Sequence, residues 1–385
     1  MVDQHSLFPR PIDAKEEGTG ILASQHIKDL IQRQGIAASA PIDPGQVQPA
    51  SLDLRLGPKA YRVHASFLPG RNGRVMNRVE DLLIETIDLS SDAVLHRGFV
   101  YIVPLMEHLA LSADYSAKAN PKSTTGRLDI FTRLITDYAD SFDVVPGGYK
   151  GELFVEVVPK TFDIRLKQGA RLNQLRVRRG GPRPADTIVQ RLHDEEGLVF
   201  VDGEKVRADI EGGGVWVHMD LRAREDGVVG YKAKNQTSII DLEKIAHYDV
   251  EEFWEVARPT RQGALILRPD EFYILVSRES VKVPLTVAAD MVPYDPAVGE
   301  YRVHYAGFFD PGFGATGASV GTPAVLEVRS HEVPFVLEDG QPVARLVYEQ
   351  LLASPSKVYG VDIGSSYQRQ GLTLAKQFRR EKGRN

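Results

Sequence analysis

The sequence predicts a mainly β protein made of two tandem copies of one all-β domain. Two observations carry that prediction. Short apolar runs such as "SLDLRLG", "GFVYIVPL", "HLALSA", "ELFVEVV" and "FDIRL" are separated by Gly, Pro and Asp at short intervals, which is the texture of a sandwich or barrel. The order of those runs then recurs. "SLDLRLG" around Asp53 returns as "HMDLRAR" around Asp220, and "GFVYIVPLMEHLALSADYSAKANP" from Gly98 returns as "GALILRPDEFYILVSRESVKVP" from Gly263. "GELFVEVVPKTFDIRLKQGARLNQLRV" from Gly151 returns as "GTPAVLEVRSHEVPFVLEDGQPVARLVYE" from Gly321. The offset is roughly 165 to 170 residues each time, the length of a domain rather than of a solenoid repeat.

The first element is a helix within "ILASQHIKDLIQRQGI", Ile21 to Ile36. Ile27, Leu30 and Ile31 share one face, with Ser24 as N-cap and Gly35 as the stop. The β runs of the first copy follow. The junction falls between "GGPRPAD" (Gly180 to Asp186) and "EGGGVW" (Glu211 to Trp216), which sets the domains at 1–205 and 206–385. A short helix, "DTIVQRLHDEEG", lies in the junction. A second helical candidate, "DLEKIAHYDVEEFWEVA", reads equally as strand and loop.

Composition narrows the function. The chain has 385 residues, 42% hydrophobic, enough for each half to bury a core. Its net charge of −5 argues against a nucleic-acid partner. There is no Cys, which removes disulfides, thiol nucleophiles, thiolate zinc and the "PCxxC" of zinc deaminases. The ten His show no ligand spacing, so no metal site is expected from the protein itself. The N-terminus is polar, without the apolar core of a signal peptide, and no apolar run is long enough for a membrane span. The expectation is a soluble, cytoplasmic protein without a membrane partner.

Four stretches carry candidate chemistry. "KSTTGR", Lys122 to Arg127, offers two cations, three hydroxyls and a Gly. That set suits a polyphosphate, but it also describes a solvated turn, and it is not a Walker loop. Glu156 sits in "FVEVV" and Glu327 in "VLEV". Strict alternation lets such a Glu face water; in an apolar setting its pKa rises and it suits general acid–base work. The tail "SSYQRQGLTLAKQF" carries Tyr367, Gln368, Gln370 and Lys376. It reads either as a disordered end or as a lid over a ligand. The copies diverge here: "PKSTTGRL" in the first is "VPYDPAVGEY" in the second. That divergence suggests divided labour between the copies.

"GILASQHIKDLIQRQGI", "QPASLDLRLG", "PKSTTGRL", the Glu-bearing strand and "YQRQG" together resemble the dCTP deaminases of the dUTPase-like superfamily, in their long, internally duplicated bacterial form. The resemblance runs through nearly the whole chain. It implies a β-clip fold, a compact distorted barrel, in each copy. It also implies no zinc at the reaction centre, Mg²⁺ bound through the substrate triphosphate, and a homo-oligomer (a trimer or higher) with sites between barrels. Ser123 and Arg127, preceded by Lys122, match the loop that touches phosphates and holds the attacking water. The catalytic Glu matches Glu156 in the first copy and Glu327 in the second. Lys122, Thr124, Thr125, Asp310, Tyr367, Gln368, Gln370 and Lys376 are the expected substrate-binding residues, with dCTP as substrate. The family's "DPGW" turn is "VPGGY" (Val145 to Tyr149) in the first copy and "DPGF" (Asp310 to Phe313) in the second. A site built from both halves would explain that split. Glu156 is the preferred base because it shares a copy with Ser123 and Arg127. The alternatives are a dUTP diphosphatase, a bifunctional deaminase–diphosphatase and a non-catalytic nucleotide-binding regulator.

Overall fold

A computed structural model describes residues 18–181, 185–224, 226–293, 301–304, 307–315, 321–330, 332–360 and 371–380. The chain is mainly β, and the predicted duplication is present strand by strand. Among the described residues no helix is long and apolar enough to cross a membrane.

The first copy opens with α1 (Ser24–Gln32), which buries Ile27 and Leu30. Its N-cap is Ala23, one residue before the predicted Ser24, whose hydroxyl instead shares a hydrogen bond with Ser356 at 2.9 Å. The stop also shifts by one. Gln34 takes the left-handed conformation at φ 60°, and the Gly35 N–H donates to the Leu30 carbonyl.

The strands that frame the site are β1 (Leu52–Leu54), β2 (Val100–Ala110), β3 (Tyr115–Pro121), β4 (Ile130–Thr136), β5 (Lys150–Pro159) and β6 (Asn173–Arg179). A single helical turn, α2 (Ser123–Arg127), joins β3 to β4. The runs "GFVYIVPL" and "HLALSA", separate in the sequence reading, form the one strand β2. β5 lies between β2 and β4, and β6 pairs with β3 and β1, all antiparallel.

The second copy repeats this with β7 (Phe272–Val281), β8 (Val287–Pro293), β9 (Tyr301–His304), β10 (Thr322–Ser330) and β11 (Pro342–Gln350). β10 lies between β7 and β9, and β11 pairs with β8. The two Glu hold equivalent register positions. Glu156 stands opposite Ile102 and Arg133, and Glu327 opposite Ile274 and His304.

Two junction expectations change. The helix α3 (Asp186–Glu196) forms as predicted, but its Val189 belongs to the core of the second copy. The strand Val199–Val201 pairs with β7. Residues 186–205, placed with the first domain by the boundary at 205, therefore pack with the second. The ambiguous segment from Asp241 resolves mostly as strand and loop, with one short turn at Val250–Phe253 before the strand Trp254–Ala257.

Each copy has its own apolar core, and another cluster spans both. The shared cluster joins Tyr101, Val155, Val157 and Leu128 of the first copy to Tyr231, Phe272, Ile274 and Val325 of the second. It also takes in Leu374, Ala375 and Phe378 of the C-terminal tail, with Phe378 edge-on to Phe253 and Trp254. The two barrels are thus pressed together by apolar burial, the dominant favourable term in such contacts.

Alternation along β10 decides what Glu327 meets. Leu326 and Val328 point into the second copy's own core, while Val325, and with it Glu327 and Arg329, face the first copy. On β5 the same outward face carries Phe154 and Glu156. There it is covered by the first copy's own helix Val75–Leu82, through Val75 and Val79.

Candidate active site

β3 ends at Pro121, which pairs with Asn173, and the chain then makes the single turn of α2. The Gly126 N–H closes it on the Lys122 carbonyl at 3.0 Å. The hydroxyl run is divided in use. Ser123 is exposed at the start of the turn, and Thr124 is half-buried. Thr125 is buried and donates its hydroxyl to the Leu172 carbonyl at 2.8 Å, so it fixes the turn. It also lines the cavity beside the turn. Arg127 points inward, 3% exposed, and donates to the Thr373 carbonyl of the tail at 2.9 Å.

The carboxylate that Arg127 meets is Glu327, across the junction of the copies. The Nε–Oε1 distance is 4.0 Å, with both side chains almost fully buried. Burial pushes the Glu327 carboxyl up to about 8; Arg127 pulls it down and the Asp129 carboxylate adds to the rise. Beside this pair runs a second one of opposite sense. The Asp129 carboxylate, fully buried, accepts Arg329 Nε at 3.2 Å and also Nη2.

Glu156, expected beside Arg127 because it shares a copy with it, is held elsewhere. Its Oε1 accepts Arg133 Nη2 at 2.7 Å and Nε at 3.0 Å. Arg133 in turn lies over the Phe142 ring at 3.5 Å and donates to Ser66. Glu156 therefore sits on the opposite face of its sheet from Val155 and Val157, which pack with Leu128 just after α2. Sharing a copy with Arg127 does not put it on the same face.

Beside α2 a cavity of about 430 Å³ is lined by Asp53, Lys122, Thr124, Arg171, Lys376 and Gln377, among others. Lys122 Nζ bonds the buried Asp53 carboxylate, and Arg171 lies 3.9 Å from its other oxygen. Lys167 on the rim pairs with Glu243 at 2.8 Å. Burial lowers the Lys376 ammonium, and the nearby Lys122 lowers it further, against the opposing pull of Asp53. Clustered cations of this kind suit a bound polyphosphate. Asp310, expected at the substrate, is paired with Arg176 at 3.1 Å. Arg176 also holds Asp290, so one buried guanidinium of the first copy ties two carboxylates of the second. Tyr367, Gln368 and Gln370 lie outside the described residues. Among the described residues no three His, Cys, Asp or Glu cluster as metal ligands.

Two family profiles cover almost the whole chain. Residues 18–181 match "2'-deoxycytidine 5'-triphosphate deaminase (DCD) N-terminal domain", and residues 185–378 match the C-terminal domain of the same description. The crystal structure of 2'-deoxycytidine 5'-triphosphate deaminase from Agrobacterium tumefaciens superposes with a TM-score of 0.85 at 52% identity, covering 90% of this chain and 99% of that one. The chain belongs to the dCTP deaminase family. Shorter relatives match over part of it. A dCTP deaminase of Haloarcula marismortui is 29% identical over 38% of this chain and 75% of its own length. A "dCTP deaminase, dUMP-forming" of Tropheryma whipplei is 30% identical over 35% of this chain and 66% of its own.

For an enzyme of the dCTP deaminase family, the informative departures are residues that sequence reasoning passed over. Asp53 was legible only as part of "SLDLRLG", yet it anchors Lys122. Arg55 in the same motif is structural, bonding the fully buried Glu107 at 2.7 Å. Arg171, Asp129, Arg176 and Arg329 carried no motif. Their one signal was charge in apolar strand surroundings, which burial makes costly unless it is paired.

Proposed function

We propose that this enzyme hydrolyses dCTP to dUTP and ammonia at a site assembled from both copies, with Glu327 as the general base. The observation that carries the proposal is the meeting of Glu327 with Arg127 across the junction, in a buried setting that raises the carboxyl to about 8. A base near the operating pH can both take and return a proton. Glu327 takes a proton from water as the oxygen attacks C4 of cytosine. That proton passes to N3; the carboxylate then takes the second proton from the C4 hydroxyl and passes it to the amine, so that the C4 carbonyl forms as the C4–N bond breaks to release ammonia. Arg127 orients the carboxylate and steadies negative charge that develops beside it. Ser123, exposed at the start of α2, is available to the water or to a phosphate. The proposal assigns these proton transfers to the carboxylate, without a zinc-bound water.

Lys122, Thr124, Arg171 and Lys376 are the residues that would hold the triphosphate, since they line the cavity next to α2. Magnesium riding on the phosphate oxygens would neutralise part of their charge. The same reading expects a homo-oligomer, which light scattering on the purified protein checks.

The test is to incubate the protein with dCTP and Mg²⁺ and follow ammonia and pyrophosphate together. Ammonia with accumulating dUTP supports the proposal. Ammonia with stoichiometric pyrophosphate places the enzyme with relatives named dUMP-forming, such as that of Tropheryma whipplei. Pyrophosphate from dUTP, with no ammonia from dCTP, refutes the deaminase reading.

A further inference from the structure

We propose that Asp129 and Arg329 are positioning residues for the deamination: a buried ion pair, one partner from each copy, that seats the Glu327 strand against Arg127 and sets the charge beside the base. The proposal rests on Glu327 being that base.

The geometry is reciprocal. Arg127 and Asp129 are two residues apart at the end of α2, and Glu327 and Arg329 are two apart on one face of β10. Arg127 faces Glu327 and Asp129 faces Arg329, so charge alternates along both sides of the junction. Asp129 stands at φ 54°, a left-handed conformation uncommon for a residue with a side chain. Its backbone helps close the turn: its N–H donates to the Gly126 carbonyl, and its carbonyl accepts from Lys160. Its carboxylate, fully buried, takes the Thr161 hydroxyl as well as Arg329. Arg329 also donates from Nη1 to the Asp270 carbonyl and from Nη2 to the Thr161 hydroxyl, both within 2.9 Å. A guanidinium held at several points gives orientation as well as charge. The strand that presents Glu327 is thereby pinned two residues downstream.

The pair is also an electrostatic setting. The charged groups that act on Glu327 are Arg127 from α2 and Asp129 from the turn after it, and Arg329, two residues along its own strand, neutralises Asp129. Across the sheet its register partners are Ile274, which is apolar, and His304, which is titratable. Removing Asp129 leaves one more positive charge near the base, and removing Arg329 leaves one more negative.

The experiment is kcat/KM for dCTP across alkaline and acid pH in Asp129→Asn, Arg329→Gln and the double variant. Activity rises with pH as the base ionises. The midpoint of that rise should fall by roughly one pH unit in Asp129→Asn and climb by a similar amount in Arg329→Gln. It should return close to the wild-type position in the double variant. The plateau should drop about ten-fold or more in each single variant, because the base is less well placed. A merely structural role would lower the plateau and leave the midpoints alone, and midpoints that stay together or move the same way overturn the proposal. If Arg329→Gln does not yield folded protein, Arg329→Lys takes its place. With charge kept, the midpoint should stay at wild type in Arg329→Lys while it still falls in Asp129→Asn, and a displaced midpoint in the first or an unmoved one in the second overturns the proposal. Glu327→Gln separates the two readings. Turnover in that variant sinks the base assignment itself, whereas an inactive Glu327→Gln with unsplit midpoints sinks only the ion-pair role.

Discussion

Replacing Glu327 by Gln should abolish turnover and, at alkaline pH, make the protein more stable. Burial lifts the Glu327 carboxyl from an ordinary 4.5 to about 8. The folded state therefore holds a proton that the unfolded chain has lost across that interval. By linkage, its contribution is fully present below pH ~4.5, drains away as pH rises, and is gone above pH ~8. At ~1.4 kcal/mol per unit, the shift corresponds to roughly 3–5 kcal/mol. Gln mimics the protonated form at every pH and does not suffer this loss. Thermal melts of wild type and variant at several pH values between 5 and 9 test the point. The variant's advantage should open steadily through this range, reach several degrees, and then level off. The kcat for dCTP should fall at least ~100-fold, the usual worth of a general base, with nucleotide affinity changed little. A melting difference that is flat with pH would refute the raised carboxyl. Near-normal turnover would refute its role.

Three further outcomes are expected. Glu156→Gln should keep dCTP turnover within about two-fold while losing roughly 1–3 kcal/mol of stability, because it weakens only the contact with Arg133; steady-state rates and melts check both. Lys376→Met should raise the KM for dCTP about ten-fold with little change in kcat. Wild-type affinity should also weaken as pH rises through the lowered Lys376 ammonium, a dependence the variant loses, read by calorimetry. Arg176→Met leaves Asp290 and Asp310 without their shared partner and should cost on the order of 3–5 kcal/mol near neutral pH. The loss should shrink toward pH 5, since burial already pushes the Asp310 carboxyl up and protonation relieves it.

The fold was legible because duplication writes one pattern twice. Turn residues and alternating apolar runs gave the strands, and their recurrence gave the second copy. What the sequence hid was which surfaces close on each other. Ser24 and Gly35 were each one residue off because backbone conformation, not residue preference, chose Ala23 and Gln34. The segment 186–205 follows the first copy in sequence but pairs with β7 of the second. In the site, Arg127 and Lys122 were readable from their loop, and Lys376 from its tail. What the motifs did not show is that Asp310 and Thr125 also bond the scaffold, here Arg176 and the Leu172 carbonyl.

The choice between the two Glu turns on what covers an identical strand position. In the first copy the segment before the strand Leu83–Asp88 folds into the helix Val75–Leu82, whose Val75 and Val79 cover the outward face of β5. Arg133, opposite Glu156 in register, closes the rest and neutralises the carboxylate. In the second copy the corresponding segment is only the short turn Val250–Phe253, and the residue opposite Glu327 is His304. The outward face of β10 packs on the first copy, where α2 supplies Arg127. A buried carboxylate satisfied by its own arginine is a piece of scaffold; one that waits on a cation from another domain can be tuned by how that domain docks. On the proposed assignment, one copy supplies the loop and the other the base, because only Glu327 lies on the face where α2 supplies Arg127.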